Sequence, residues 1–387
     1  MIVPQKYNAV NWTDSMKVTK EHFIGNNNFL IDHLRDVASV TINKFNFGLL
    51  PPLEGSGAQA TEYSVNKTAS NQLQVTISYC QAITPGGVRI SIGGNGLTAF
   101  IPLSVVAERS GNQQGENSSD LYYVVIVANP FERVLLGNPD PDESPIRQPF
   151  CQPFYNVELL HADDINAGQL GAYHLVIGRI RKKGIEFYKD EDFIPPCASV
   201  MADEKLRSSY KNVCSQLESL QNMSVQIVQK INYKNQKAPV AQNVKSACEK
   251  ILAYMAQAYF GFRNVLHQQP PVYLVEAISA FSNVLHTFVQ TLPENDKEEL
   301  LNYFNEWSDI SPVVFMSRLA EIVEFNYSHY DTGFFMKAIQ QMLTGVVLIW
   351  NKLNSLEFIG QHKENIVVRE EVISNVVKEK RGWSILD

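Results

Sequence analysis

Three groups of residues in the chain could do chemistry. Gly93-Gly94-Asn95-Gly96 follows a strand-like stretch, and glycines there could let backbone N–H groups close on a phosphate. That use needs a helix directly after the glycines. Leu97 to Ile101 instead runs into Pro102 without a helical period, so a turn is expected. His161-Ala162-Asp163-Asp164 offers three metal-binding side chains in four residues. Successive strand positions cannot converge on one ion, and no second histidine stands at i+4, so an acidic turn after Leu160 is expected. The third group is the five cysteines, Cys80, Cys151, Cys197, Cys214 and Cys248, which are odd in number, far apart and never in Cys-x-x-Cys pairs. A Cys/His pair needs only proximity in space, so spacing alone does not remove it. Cys197, Cys214 and Cys248 nevertheless lie at or near a helical apolar stripe, where cysteine behaves as a small buried hydrophobe. No catalytic, metal or cofactor set stands out, and the chain reads first as a building part.

The elements that would hold such residues change character at Phe193-Ile194-Pro195-Pro196. Before it, strand-like segments are expected at 38–47, 73–83, 88–92, 121–128, 155–160 and 173–180, rich in Val, Ile, Tyr and Phe and bounded by turn formers. Lys182-Lys183-Gly184 reads as a hairpin turn into Ile185 to Tyr188. Strands without intervening helices favour an antiparallel sandwich. Two loops interrupt them, at 111–120 and at 137–153, the second with five prolines that exclude it from a central strand. Ahead of the strands, Lys20 through Arg35 could form a short helix capped by Thr19, in a region holding Trp12, Met16, His22, Phe23, Phe29, Leu30 and Leu34.

After the change, apolar residues recur at steps of four and three, which places one stripe on each helix. The first stripe runs Leu206, Tyr210, Val213, Leu217, Leu220 and, past polar Ser224, Ile227 and Ile231. The second holds Val244, Cys248, Ile251, Met255, Ala258 and Phe262, and the third Leu274, Ile278, Phe281, Leu285, Phe288 and Leu292. Pro270-Pro271 and Ser311-Pro312 start helices at the position where proline's missing donor costs nothing. A bundle of four or five helices is expected, with strand-like runs at 346–350, 356–359 and 366–368 and a helix at 372–380. The first helix, from about Ala202 to Tyr233, would be about 48 Å long. The stripes of any bundle pack within one chain, but so long a helix is hard to cover there, so Val213, Leu217 and Leu220 are expected to face other copies, with burial inside the bundle as the alternative.

Composition narrows the classes further. At 387 residues two or three domains are expected. Lys and Arg number 33 against 40 Asp and Glu, and with no basic stripe nucleic acid is not an expected partner. Scattered cysteines favour a reducing, cytoplasmic compartment. No secretory signal is evident, and the longest strongly apolar run, Gly345 to Trp350, is far short of the ~20 residues a membrane helix needs, so direct membrane insertion is not expected.

Val10-Asn11-Trp12-Thr13-Asp14-Ser15-Met16 followed by His22-Phe23 resembles the opening of the type VI secretion baseplate subunit family TssK. Leu175 to Ile180 with Phe193-Ile194-Pro195-Pro196, Pro270-Pro271-Val272-Tyr273-Leu274, and Tyr327-Ser328-His329-Tyr330-Asp331 resemble three further blocks of that family, so the likeness spans about residues 8 to 335. It implies an α+β chain with a β-sandwich shoulder similar to phage receptor-binding proteins (1–194), a trimerising helical neck (195–331) and a short C-terminal region (332–387). It further implies a cytoplasmic homotrimeric connector at the inner face of the membrane, without cofactor or catalytic activity. Its shoulder would hold TssF/TssG-like wedge subunits, and its C-terminal end would meet membrane-complex proteins. Only 56 residues follow Asp331, fewer than the head of longer relatives, so a Bacteroidetes-type apparatus with a replaced membrane partner is expected. Trp12, Met16, His22 and Phe23 are the expected wedge anchor, or else they pack the open end of the sandwich. The competing classes are a trimeric phage-type receptor-binding protein or adhesin, and an enzyme of unknown type.

Overall fold

The computed structural model describes residues 4–52, 59–94, 96–103, 121–166, 168–184 and 186–361. The loop expected at 111–120 and the elements expected at 366–368 and 372–380 lie outside the described residues.

Among the described residues, helix α1 (Lys20–Ser39) precedes nine strands: β1 (Gly48–Leu49), β2 (Thr61–Lys67), β3 (Gln72–Ile83), β4 (Arg89–Ile92), β5 (Leu97–Pro102), β6 (Leu121–Leu136), β7 (Phe150–His161), β8 (His174–Lys183) and β9 (Glu186–Lys189). They form two antiparallel sheets. In the first, β3 pairs with β1 and β2 and also with β4 and β5; the second has the order β7-β6-β8-β9. The apolar alternation of β3 changes phase because Ser78 is an extra residue between the pairs Tyr63↔Ile77 and Glu62↔Tyr79. Leu73, Val75 and Ile77 therefore face inward before it, and Cys80 and Ala82 after it. Between the two sheets, a Cβ on Gly178 of β8 would lie 2.2 Å from the Tyr63 hydroxyl of β2, so the glycine makes room for that ring.

Two expectations about strands need correction. Residues 38–47 form the end of α1 and a turn, with strand only at Gly48–Leu49. Asparagine side chains take over the backbone there: Asn43 N–H donates to Asn46 Oδ1 at 2.7 Å and Phe45 N–H to Asn43 Oδ1 at 2.8 Å. The proline-rich stretch 137–153 is also not all loop, because Phe150 to Pro153 belong to β7. Proline is tolerated since β7 is an edge strand and Pro153 sits at a register irregularity. Strand β2, whose seven residues carry little apolar alternation, was not expected at all.

A short helix α2 (Ala162–Asn166) links β7 to β8, and the helical part begins with α3 (Glu204–Tyr233), separated from the sheets by the joint at 193–197. Asp203 caps α3, its Oδ1 accepting from Lys205 N–H at 2.8 Å and Leu206 N–H at 3.1 Å. There follow α4 (Pro239–Asn264), α5 (Pro271–Thr291), α6 (Glu294–Ser308), α7 (Pro312–Val323) and α8 (Thr332–Ser355). Among the described residues the bundle thus has six helices. The last replaces the strand-like reading of 346–350, and it packs along α3.

The apolar stripe of α3 is spent inside the chain. Leu206, Val213, Leu217, Leu220, Ile227 and Ile231 are all buried, and α3 lies between α4 and α8. Val213, Leu217 and Leu220 therefore do not face other copies, because α8 supplies the cover that a five-helix count lacked. Tyr210 is half-buried and donates its hydroxyl to the Phe262 carbonyl. On the other helices Val244, Cys248, Ile251, Met255, Leu274, Ile278, Phe281, Leu285 and Phe288 are buried as well. Polar Ser224 interrupts the stripe because its Oγ accepts from Trp350 Nε1–H at 3.0 Å. Helices α5 and α8 are long and apolar enough, by length and composition, to cross a membrane. Both turn most of their large apolar residues into the bundle, among them Leu274, Ile278, Phe281 and Leu285 on α5 and Ile339, Leu343, Ile349 and Trp350 on α8, so their apolarity is that of core helices.

The joint is tied by backbone and one histidine. Leu49 N–H donates to Pro196 O and Ala198 N–H to Leu49 O, each at 2.8 Å. Gly48, at φ +113°, passes so close to Pro196 that a Cβ would clash with its carbonyl. Buried His329 lies 2.9 Å from the Phe47 carbonyl through Nε2, and its Nδ1 faces the Tyr327 hydroxyl at 3.0 Å. Burial pushes its imidazole down to about 4, against the raising effect of the Phe47 carbonyl, so it works as a neutral donor.

Candidate docking site

The sequence-level chemistry resolves into structural roles. At the glycines, Gly96 N–H donates back to Gly93 O at 3.4 Å and Gly94 and Gly96 have positive φ, the geometry of a turn and not of a helix start. His161 stacks edge-on against Tyr122 with ring centroids 5.2 Å apart, and Asp163 N–H donates to its Nδ1. Among the described residues no group of three metal-binding side chains comes together. Burial pushes the thiols of Cys80 and Cys248 up to about 12 and raises those of Cys197 and Cys214, away from the thiolate a nucleophile needs.

The unusual part of the molecule is α1. Thr19 starts it, and Thr19 N–H donates to His22 Nδ1 at 3.0 Å, so His22 closes the N-terminal turn in the place a glutamate usually takes. The face it turns toward the protein is polar: Asn28, Asp32, Arg35 and Ser39 are the buried residues of this helix. Asp32 is 1% and Arg35 3% exposed. Arg35 donates to Asp32 Oδ1 through Nε at 3.0 Å and Nη2 at 2.8 Å. Asp32 Oδ2 accepts from the backbone N–H groups of Lys6 and Tyr7, and Arg35 Nη2 also donates to Pro4 O at 3.3 Å. Burial alone would raise the Asp32 carboxyl, but Arg35 and the two N–H groups outweigh it and hold it below the usual range. This ion pair therefore clamps the N-terminal arm to the helix. Arg133, on the β6–β7 hairpin, donates to Asn28 Oδ1 at 2.6 Å, and Phe131 packs on Tyr7 at 4.6 Å.

The opposite face carries Phe23, Leu30, Leu34 and Val37, at steps of seven, four and three, and all are exposed, Phe23 at 61% and Leu34 at 68%. That is an apolar stripe aimed at solvent, the reverse of an ordinary surface helix. Trp12 extends it, half exposed, with its ring 6.1 Å from His22 and 6.4 Å from Phe23. Past the register break the β6–β7 hairpin projects beyond β8, which pairs β6 only as far as Val127, and it exposes Leu135, Leu136, Ile146 and Phe150. Exposed large apolar residues thus concentrate on α1, its arm and the hairpin rooted beside them.

Of the four residues expected as an anchor, Trp12, His22 and Phe23 come together, while Met16 is half-buried on the same arm. They do not fill the sandwich core, which is built from the strands and the joint. Leu34, Val37 and the Asp32–Arg35 clamp were not on that short set. Their signal was present as two opposed stripes, Phe23-Leu30-Leu34-Val37 and Asn28-Asp32-Arg35-Ser39, on one helix.

No family model matches the chain, and no curated protein does. Solved structures do match. A crystal structure of TssK aligns with a TM-score of 0.51 at 16% identity, covering 87% of this chain and 69% of that one. A chain of the type VI secretion system TssK-TssF-TssG baseplate subcomplex, solved by cryo-electron microscopy, aligns with a TM-score of 0.51 at 14% identity, covering 89% of this chain and 99% of that one. At such identity the likeness is one of fold. Two antiparallel sheets, a joint and a helical bundle give this chain the TssK fold, with a sequence far diverged from the solved examples.

Proposed function

We propose that the chain is a structural baseplate component of a type VI secretion, contractile tail-like apparatus, a trimeric connector without catalytic activity. It would work in the cytoplasm at the inner face of the membrane. The observation that carries this reading is α1, whose apolar stripe has no cover among the described residues and whose polar stripe is locked down by a buried ion pair. Such a surface suits permanent contact with another protein. One of the matched structures holds TssK together with TssF and TssG, so wedge subunits of that kind are the proposed occupants.

The geometry also supports a part with two working ends. Helix α3 spans about 45 Å from the joint to the far tip of the bundle. There Lys230 Nζ donates to the carbonyls of Asn354 at 2.6 Å and Leu356 at 2.7 Å, Ile359 N–H to Gln236 Oε1 and Gly360 N–H to Tyr303 Oη. Residues 354–360 are therefore fixed at the end of the bundle opposite the sandwich, where the proposed contact with membrane-complex proteins would be made.

The test replaces Trp12 and Phe23 together by serine, then measures capture of purified wedge subunits alongside circular dichroism. Loss of capture by a folded variant is the expected result. Full capture by that variant would remove the reading.

A further inference from the structure

Where the sandwich meets the bundle, an open groove of about 670 Å3 lies between the first turns of α3 and α8, within the size range of ligand sites. Strand β8 contributes Arg179 and Arg181 to it, and the joint contributes Phe193 and Ile194. From Lys205 to Asn212 its α3 wall is about 10 Å long, room for about three residues of extended chain. Asn212 Nδ2–H donates to Gln340 Oε1 at 2.8 Å, which ties the two helices together across the groove.

The groove holds a surplus of positive charge in a chain whose net charge is -7. Arg179 and Arg181 share one carboxylate, Asp190, at 2.8 Å and 3.0 Å, and Asp331 stands 3.9 Å from Arg179. Lys205 donates to the carbonyls of Glu191 and Phe193, which orient its ammonium without cancelling its charge. Lys337 is exposed and makes no ion pair among the described residues. Against these four cations stand Asp190, Asp192 and Asp331, so the groove is one carboxylate short of balance. One helical step of three before Lys337, and therefore on the same side of α8, Phe334 is 51% exposed. The Ser208 and Ser209 hydroxyls and the Gln341 amide, which also line the groove, make no hydrogen bond among the described residues.

We infer that this groove is a binding site for a short extended peptide segment of a partner protein, carrying one carboxylate beside an apolar side chain. Each part of the groove answers to one part of such a segment. Lys337 and Arg181 take the carboxylate by charge-assisted hydrogen bonds, Phe334 takes the apolar side chain, and the free hydroxyls and amide pair with peptide groups. A small free anion would use the first of these alone. The walls come from both the sandwich and the bundle, so an occupied groove fastens the two regions to each other. The site is separate from α1, and the inference does not depend on what α1 binds.

The experiment is fluorescence anisotropy of the full chain with labelled Ala-Xaa-Phe-Ala peptides in which Xaa is Asp, Asn or Lys. Saturable binding of the Asp peptide below about 1 mM is expected, with the Asn peptide about tenfold weaker, the worth of one charge-assisted hydrogen bond, and the Lys peptide weaker still. Lys337→Ser and Phe334→Ser, both at exposed positions, should each weaken the Asp peptide about tenfold at an unchanged melting temperature. A Trp12→Ser, Phe23→Ser variant should bind it as the wild type does, so the groove and the wedge reading fail separately. Equal affinity for the three peptides, an unaffected Lys337→Ser variant, or displacement of the peptide by acetate at matched concentration would each overturn the inference.

Discussion

Helices α3 and α1 were built from the same kind of pattern, apolar residues at heptad spacing, and they use it in opposite ways. In α3 the apolar stripe is buried by α4 and α8, so the helix is complete within one chain. In α1 the buried stripe is Asn28, Asp32, Arg35 and Ser39, and the apolar stripe is left outside. Periodicity tells that a helix has an apolar face, and only the fold tells whether that face is already covered. The assembly surface is therefore sought where an apolar stripe remains uncovered, which is α1, and not where the stripe is longest.

The sharpest way to break this contrast is at the centre of α3. Leu217→Asp should cost on the order of 5 kcal/mol and unfold the bundle, because a charge would sit where the side chain is 1% exposed. Urea unfolding checks it; a folded variant that merely dissociates would return Leu217 to an interface between copies. Arg35→Ala should cost about 4 kcal/mol locally, since it strands the Asp32 carboxylate in a buried site. Hydrogen exchange should rise across residues 4–39 while α3 to α8 keep their protection.

The joint between the two regions offers a pH test. His329 is held neutral, with a folded value of about 4 against an ordinary value near 6.5. As pH falls from about 6.5 toward 4 the unfolded chain takes up a proton that the folded chain refuses, so stability is full above that window and lost within it. The loss should approach about 3 kcal/mol at pH 4, and His329→Gln should remove that component of the pH dependence. The smallest effect on stability is expected on the outer face of α1: Leu34→Ser should change the unfolding free energy by no more than about 0.5 kcal/mol. A larger loss would mean that Leu34 is covered within its own chain.

Much of this was readable before any coordinates. The break at Phe193 to Pro196, the span of α3 from near Ala202 to Tyr233 and the proline starts of α5 and α7 follow from local chemistry that tertiary contacts do not override. Helix α8 was missed because it is covered on several sides: Leu343, Val346, Ile349, Trp350 and Leu353 are all buried, so the run lacks the polar face that marks a helix. Missing it left α3 apparently uncovered, which is why its seam was expected between copies. At the docking site the aromatic cluster of Trp12, His22 and Phe23 was legible as large side chains close in sequence. The inversion of α1 was not, because which stripe faces inward depends on Arg133, Lys6 and Tyr7, residues far away along the chain.

The central claim is that the outer stripe of α1 belongs to an interface with another protein. Its most direct test is calorimetric titration of purified TssF/TssG-like wedge subunits into the full chain and into a Leu30→Ser, Leu34→Ser variant. Binding to the wild type with at least a tenfold loss in the variant, at equal thermal stability, is the expected result. Equal affinity for both would contradict the account.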